Sequence, residues 1–126
     1  MIEFSTSADI SIEVNGRPLA VAQSYRARAL RESRTVEAFG QKEPVGTASG
    51  RTTYQIELSR VQLLEDAYTD GIDFYGLGGF TVTIAKPGQR VIYSGCEWSG
   101  IDESAGLGGV VLESVSLVAA KRMVLS

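Results

Sequence analysis

The chain has 126 residues, a net charge of −3 and 44% hydrophobic residues. That suits one domain around a single core and argues against nucleic-acid binding through phosphate neutralisation. It contains no histidine and one cysteine, which excludes histidine-based nucleophile pairs, histidine metal sites, thiolate zinc sites and an internal disulfide.

The opening residues 1–7, MIEFSTS, carry neither a basic region nor an apolar stretch of signal length, so no export leader is expected. No segment reaches the ~18 apolar residues of a membrane-spanning helix. Ile10, Ile12 and Val14 alternate with Ser11 and Glu13 as in a half-buried strand, and Asn15-Gly16 is a type I′ hairpin signal. Leu19 to Leu30 returns with Tyr25, Ala27 and Ala29 on the buried side and Arg26 and Arg28 on the wet side. The polar, glycine-punctuated stretch from Arg31 to Gly50 exceeds the roughly 2–5 residues of an ordinary hairpin loop and reads as a projecting arm. Thr52 to Leu58 re-enters as an alternating strand.

Ser59 to Asp70 is the one expected helix. Ser59 and Gln62 stand at capping-box spacing, Val61, Leu64, Ala67 and Tyr68 fall on one helical face, and Gly71 is placed to end it. Further strands are expected at Ile72 to Tyr75, Phe80 to Ala85, Val91 to Trp98 and Val110 to Val124, the last either continuous or bulged. Lys86-Pro87-Gly88-Gln89 is a turn by its chemistry. Cys96, between Ile92 and Trp98, reads as a small buried hydrophobe.

Three features invite a chemical reading. Gly76-Leu77-Gly78-Gly79 and Gly106-Leu107-Gly108-Gly109 repeat one tetrapeptide, but a phosphate cradle opens a helix and a Walker loop adds Lys and Ser or Thr. Strands follow here, so the glycines read as turns or bulges. Glu65, Asp66, Asp70 and Asp73 form an acidic cluster that lacks calcium-loop spacing and reads as a solvated face. Phe74, Tyr75 and Trp98 would be the platform of a carbohydrate- or peptide-binding sandwich if they were exposed, and otherwise belong to the core.

The turn Val14-Asn15-Gly16-Arg17-Pro18-Leu19-Ala20, the arm's Gly40-Gln41-Lys42-Glu43-Pro44-Val45-Gly46, its closing Gly50 and the strand Thr52 to Leu58 together resemble the tail tube proteins of tailed phages and phage-like particles. The likeness is nearest to the short tube proteins of defective, contractile-tail particles and covers the first half of the chain. It implies a mainly β fold over residues 1–126, a tail-tube-like β-sandwich or half-barrel of about seven strands with one flanking α-helix and a long projecting hairpin arm. It implies a structural virion protein rather than an enzyme, folded in the host cytoplasm and placed in the virion tail without cofactors. Six copies would form a ring, and rings would stack into a tube. Partners would be further copies and the sheath, tape-measure and baseplate proteins, with DNA passing through without tight binding. A tube-initiator or baseplate ring protein, or a secreted tube-like protein of a contractile secretion system, are alternatives with the same fold.

On that resemblance, Val36, Phe39, Gly40, Pro44, Val45 and Gly46 would stack one ring on the next. Cations between residues 17 and 34 and carboxylates between 57 and 73 are segregated, so Arg26, Arg28, Glu57, Glu65 and Asp66 are expected at subunit interfaces. The same charges would cancel within one chain if the second strand lay beside the helix. Thr53, Gln55, Glu57, Thr81 and Thr83, on outer strand faces, are lumen candidates, where Arg26 and Arg28 would be awkward neighbours.

Overall fold

Asn15 and Gly16 both adopt positive φ, 53° and 81°, the backbone that a two-residue type I′ turn demands. They join β1 (Asp9–Val14) to β2 (Arg17–Ala22) as expected. In the computed structural model, which describes residues 9–106 and 109–126, β3 (Ser24–Val36) and β4 (Gly46–Leu63) follow, then a one-turn helix α1 (Glu65–Thr69) and a 3₁₀ turn at Phe74–Gly76. The chain continues through β5 (Phe80–Lys86), β6 (Gln89–Gly106), β7 (Gly109–Ala119) and β8 (Lys121–Leu125). The leader reading at residues 1–7 and the centre of the second glycine tetrapeptide, Leu107-Gly108, lie outside the described residues.

All the strands belong to one antiparallel sheet in the order β2-β1-β5-β6-β7-β4-β3, with β8 beside β6. The sheet closes on itself, because β2 at one end also pairs with β4, Ala20 with Leu63 and Val21 with Gln62. The fold is therefore mainly β, as expected, with eight strands among the described residues in a single sheet. Inside it lie Ile10 and Ile12 of β1, Ile56, Leu58 and Val61 of β4, Phe80, Val82 and Ile84 of β5, and Val115 and Leu117 of β7. The single thiol, Cys96, is fully buried and unpaired among them. Its Sγ donates to the Tyr93 carbonyl at 3.3 Å. Burial raises its pKa to about 11, with the Val82 backbone acting in the opposite sense and Glu97 adding to the rise.

Three sequence expectations are corrected, and a fourth takes the second of its two forms. The helix from Ser59 to Asp70 is not formed: β4 runs on to Leu63, with Ser59 opposite Ser114 and Val61 opposite Leu112, and only Glu65–Thr69 is helical. Arg60 has a φ of 52°, and the inward positions across it run Leu58 then Val61, a spacing of three that imitates helical periodicity. Ile72 to Tyr75 is no strand, since Asp73 accepts the Tyr75 amide at 3.2 Å and caps the 3₁₀ turn. The strand from Leu19 to Leu30 is broken at Gln23, whose amide donates to the Ser59 carbonyl at 2.9 Å, and Ala27 and Ala29 beyond it are exposed rather than buried. The C-terminal strand divides at Ala120, which faces Gly95. A Cβ at Gly95 would stand 3.0 Å from that of Ala120, and Gly95 has a φ of 64°, so this bulge requires glycine.

Candidate functional site

The arm from Arg31 to Gly50 is a two-stranded ribbon, with rungs from Arg31↔Thr52 to Val36↔Gly46 and a tip at residues 37–45. Its length comes from strand pairing rather than from a loop. β7 reaches β4 only from Tyr54 onward, so among the described residues each ribbon strand has the other as its sole ladder partner. The tip is cross-braced by the Val45 amide on the Val36 carbonyl at 2.8 Å and the Gln41 amide on the Ala38 carbonyl at 3.1 Å. Gly40, with a φ of 83°, permits the bend between them.

The apolar residues that the sequence places on this arm are held out in solvent. Phe39 is completely exposed, Val45 is 61% exposed and Val36 is 39% exposed. Large apolar side chains gathered on one protruding element are the usual mark of a surface meant to be covered. Gly46 starts β4, while Pro44 lies in the tip and makes no demand on the ladder.

Some of the interface charges pair within one chain, the alternative that the sequence left open. Arg26 faces Glu57 of the same chain across the β3–β4 ladder at 3.6 Å, and Arg17 hydrogen-bonds Asp70. The third ion pair among the described residues is Arg60 with Glu113 at 3.6 Å. All these groups are largely exposed, so each pair contributes only about 0–1 kcal/mol. Arg28, Arg31 and Arg34 have no carboxylate within salt-bridge distance among the described residues. Glu65 and Asp66 sit exposed in the first turn of α1, and no metal-binding group of three or more acidic, histidine or cysteine side chains occurs among the described residues.

The lumen candidates fall on two separate faces. Thr53, Gln55 and Glu57 point outward from β4, where Gln55 pairs with Arg28 and Glu57 with Arg26. Thr81 and Thr83 point outward from β5 beside Glu13 and Ser11 of β1. The second face is small, polar and acidic; the first carries two arginines. Phe74 is buried, Tyr75 is exposed and Trp98 half-buried, and the rings of the last two meet at 89° with centroids 6.0 Å apart, which makes no flat platform. The indole donates to the Tyr75 carbonyl at 3.2 Å. The Tyr75 hydroxyl donates to Glu103, and that bond, followed by desolvation and nearby carboxylates, raises its pKa. Two features escaped the sequence reading: the free outer edge of β3 and the edge of β8. β3 pairs only with β4 and β8 only with β6 among the described residues.

No helix among the described residues is long and apolar enough to cross a membrane. No protein-family model and no curated protein matches the chain.

Proposed function

We propose that this protein is a structural subunit of a phage tail tube or of a related contractile particle, acting through self-assembly rather than catalysis. The observation that carries the reading is the bare ribbon with Phe39 fully exposed at its tip. A two-stranded ribbon is marginally stable in water by itself, and an uncovered aromatic at its end gains most when a partner surrounds it. The free edges of β3 and β8 support the same reading, because unpaired strand edges invite another chain and a ring satisfies them without leaving an end. Six copies per ring, stacked rings, and contact with sheath, tape-measure and baseplate proteins in the virion tail are parts of the proposal supplied by the family resemblance.

In this arrangement the lumen is lined by Ser11, Glu13, Thr81 and Thr83 rather than by the β4 face. The Arg26 and Arg28 guanidinium groups beside Gln55 and Glu57 would retain phosphate, whereas an acidic, hydroxyl-bearing wall lets a polyanion slide. Negative-stain electron microscopy and sedimentation of the purified protein test the class directly. Rings or tubes at high concentration are expected. A monomer across a wide range of concentration and salt would refute the assignment.

A further inference from the structure

The closing sheet is left open on one side of the ribbon's base. There Tyr25, Tyr54 and Tyr93 surround a cavity of about 340 Å³ whose rim carries Arg28, Lys86 and Arg122. Lys86 Nζ stands 5.5 Å above the Tyr25 ring, and Tyr54 and Tyr93 meet edge to face at 6.0 Å. No carboxylate lines this mouth. It is an aromatic pocket with a cationic rim, at the small end of the volume range of ligand pockets and large enough for one aromatic side chain.

The tip has the opposite character. Phe39 projects from a segment that carries Glu37 and Glu43 against one cation, Lys42. The ladder from Leu30↔Thr53 to Val36↔Gly46 separates tip and mouth of one chain by roughly 20 Å at strand rise. A chain therefore cannot insert its own tip without dismantling its ribbon. We infer that the mouth is the socket for the arm of a second copy: Phe39 enters among the three tyrosines while Glu37 and Glu43 meet Lys86 and Arg122. The contact is head to tail, because tip and mouth are different patches, so it propagates from copy to copy until a ring or a tube results. This inference rests on reading the ribbon as an inter-subunit arm, and it names the receiving surface.

Cysteine trapping tests it. Ala38→Cys, beside Phe39 in the tip, combined with Ala29→Cys, at the mouth wall, should yield a ladder of disulfide-linked oligomers on non-reducing gels under mild oxidation. The native thiol of Cys96 is buried and does not compete. Ala38→Cys combined with Ser11→Cys, on the opposite face of the sheet, should give no ladder. A second arm reverses charges. Lys86→Glu with Arg122→Glu should lower the assembled fraction at least tenfold, and adding Glu37→Lys with Glu43→Lys should restore it. If the parent protein forms tubes but the first cysteine pair gives no ladder, the socket is overturned and the arm reading stands. If the ladder forms but charge reversal is not rescued, the pairing of Glu37 and Glu43 with the rim is overturned. If the parent protein never associates, the socket and the tube reading fall together.

Discussion

β4 is one strand living in two environments. From Tyr54 to Val61 it has β7 on one side and β3 on the other as far as Ser59, and its inward residues Ile56 and Leu58 are buried. From Gly46 to Thr53 it has β3 alone, and its residues there are exposed or half-exposed. Apart from Arg60 the strand is extended in both halves, so strand conformation does not distinguish them. What differs is the number of neighbours, and with it the apolar area removed from water, at roughly 25 cal/mol per Å². The composition follows: GTASGRTT, small and polar, in the free half, and YQIELSRVQL, alternating, in the packed half. The barrel half holds the fold together, and the ribbon half is available to something else.

The largest effect that sharpens this contrast should come from Phe80→Ala. Phe80 is fully buried and packs edge to face on Phe74 with centroids 5.6 Å apart, so its truncation should cost about 3–5 kcal/mol in chemical denaturation. A loss below about 1 kcal/mol would mean that the barrel is not the shared core. Next comes the thiol. With its pKa raised from 9.0 to about 11 by burial, Cys96 should be alkylated at pH 8 about a hundred-fold more slowly in the native than in the unfolded protein. A raised folded pKa favours the protonated native state, so this contribution is complete below pH 9.0 and declines as pH rises through about 11. Rapid labelling of the native protein at pH 8 would show that the barrel opens at β6.

Smaller effects are expected from one change within each half. Arg60 holds a left-handed backbone at a φ of 52°, which costs a non-glycine residue about 1–2 kcal/mol. Arg60→Gly gives up an exposed ion pair with Glu113 worth about 0–1 kcal/mol, and a net stabilisation of about 0.5–1 kcal/mol is expected. A clear destabilisation would mean that the guanidinium holds β4 onto β7. Phe39→Ser should have the smallest effect on stability, within about 0.5 kcal/mol, because the ring touches nothing that folds the chain. It should nevertheless abolish stacking in microscopy. A marked drop in the unfolding midpoint would join the ribbon to the core and erase the contrast between the two halves.

Local signals carried well from sequence to structure. The Asn15-Gly16 and Lys86-Pro87-Gly88-Gln89 turns depend on dihedral angles that these residues set themselves, and Gly88 indeed has a φ of 75°. The alternation of Ile10 and Ile12 and of Phe80, Val82 and Ile84 is written in side chains that the barrel buries. The length and the polar, glycine-punctuated composition of the arm marked it as a separate element. The helix at Ser59 to Asp70 misled because Val61 and Ala67, both buried, stand at helical spacing although Val61 lies in a strand opposite Leu112 and only Glu65–Thr69 is helical, so strand pairing overrode the local periodicity. The partners of the charges were not legible for a related reason. Which carboxylate meets Arg26 depends on β3 pairing with β4 in the register Arg26↔Glu57, and register is a property of two segments.

The sequence by itself thus determined the β class, the hairpin turns, the buried cysteine and the existence of an arm, since each rests on the preferences of neighbouring residues. The tertiary structure alone decided that the sheet closes through Ala20↔Leu63 and Val21↔Gln62, that β4 ends at Leu63, and that a cation-rimmed aromatic mouth opens beside the ribbon. Those features join residues tens of positions apart, and only the packing of the whole chain brings them within reach of one another.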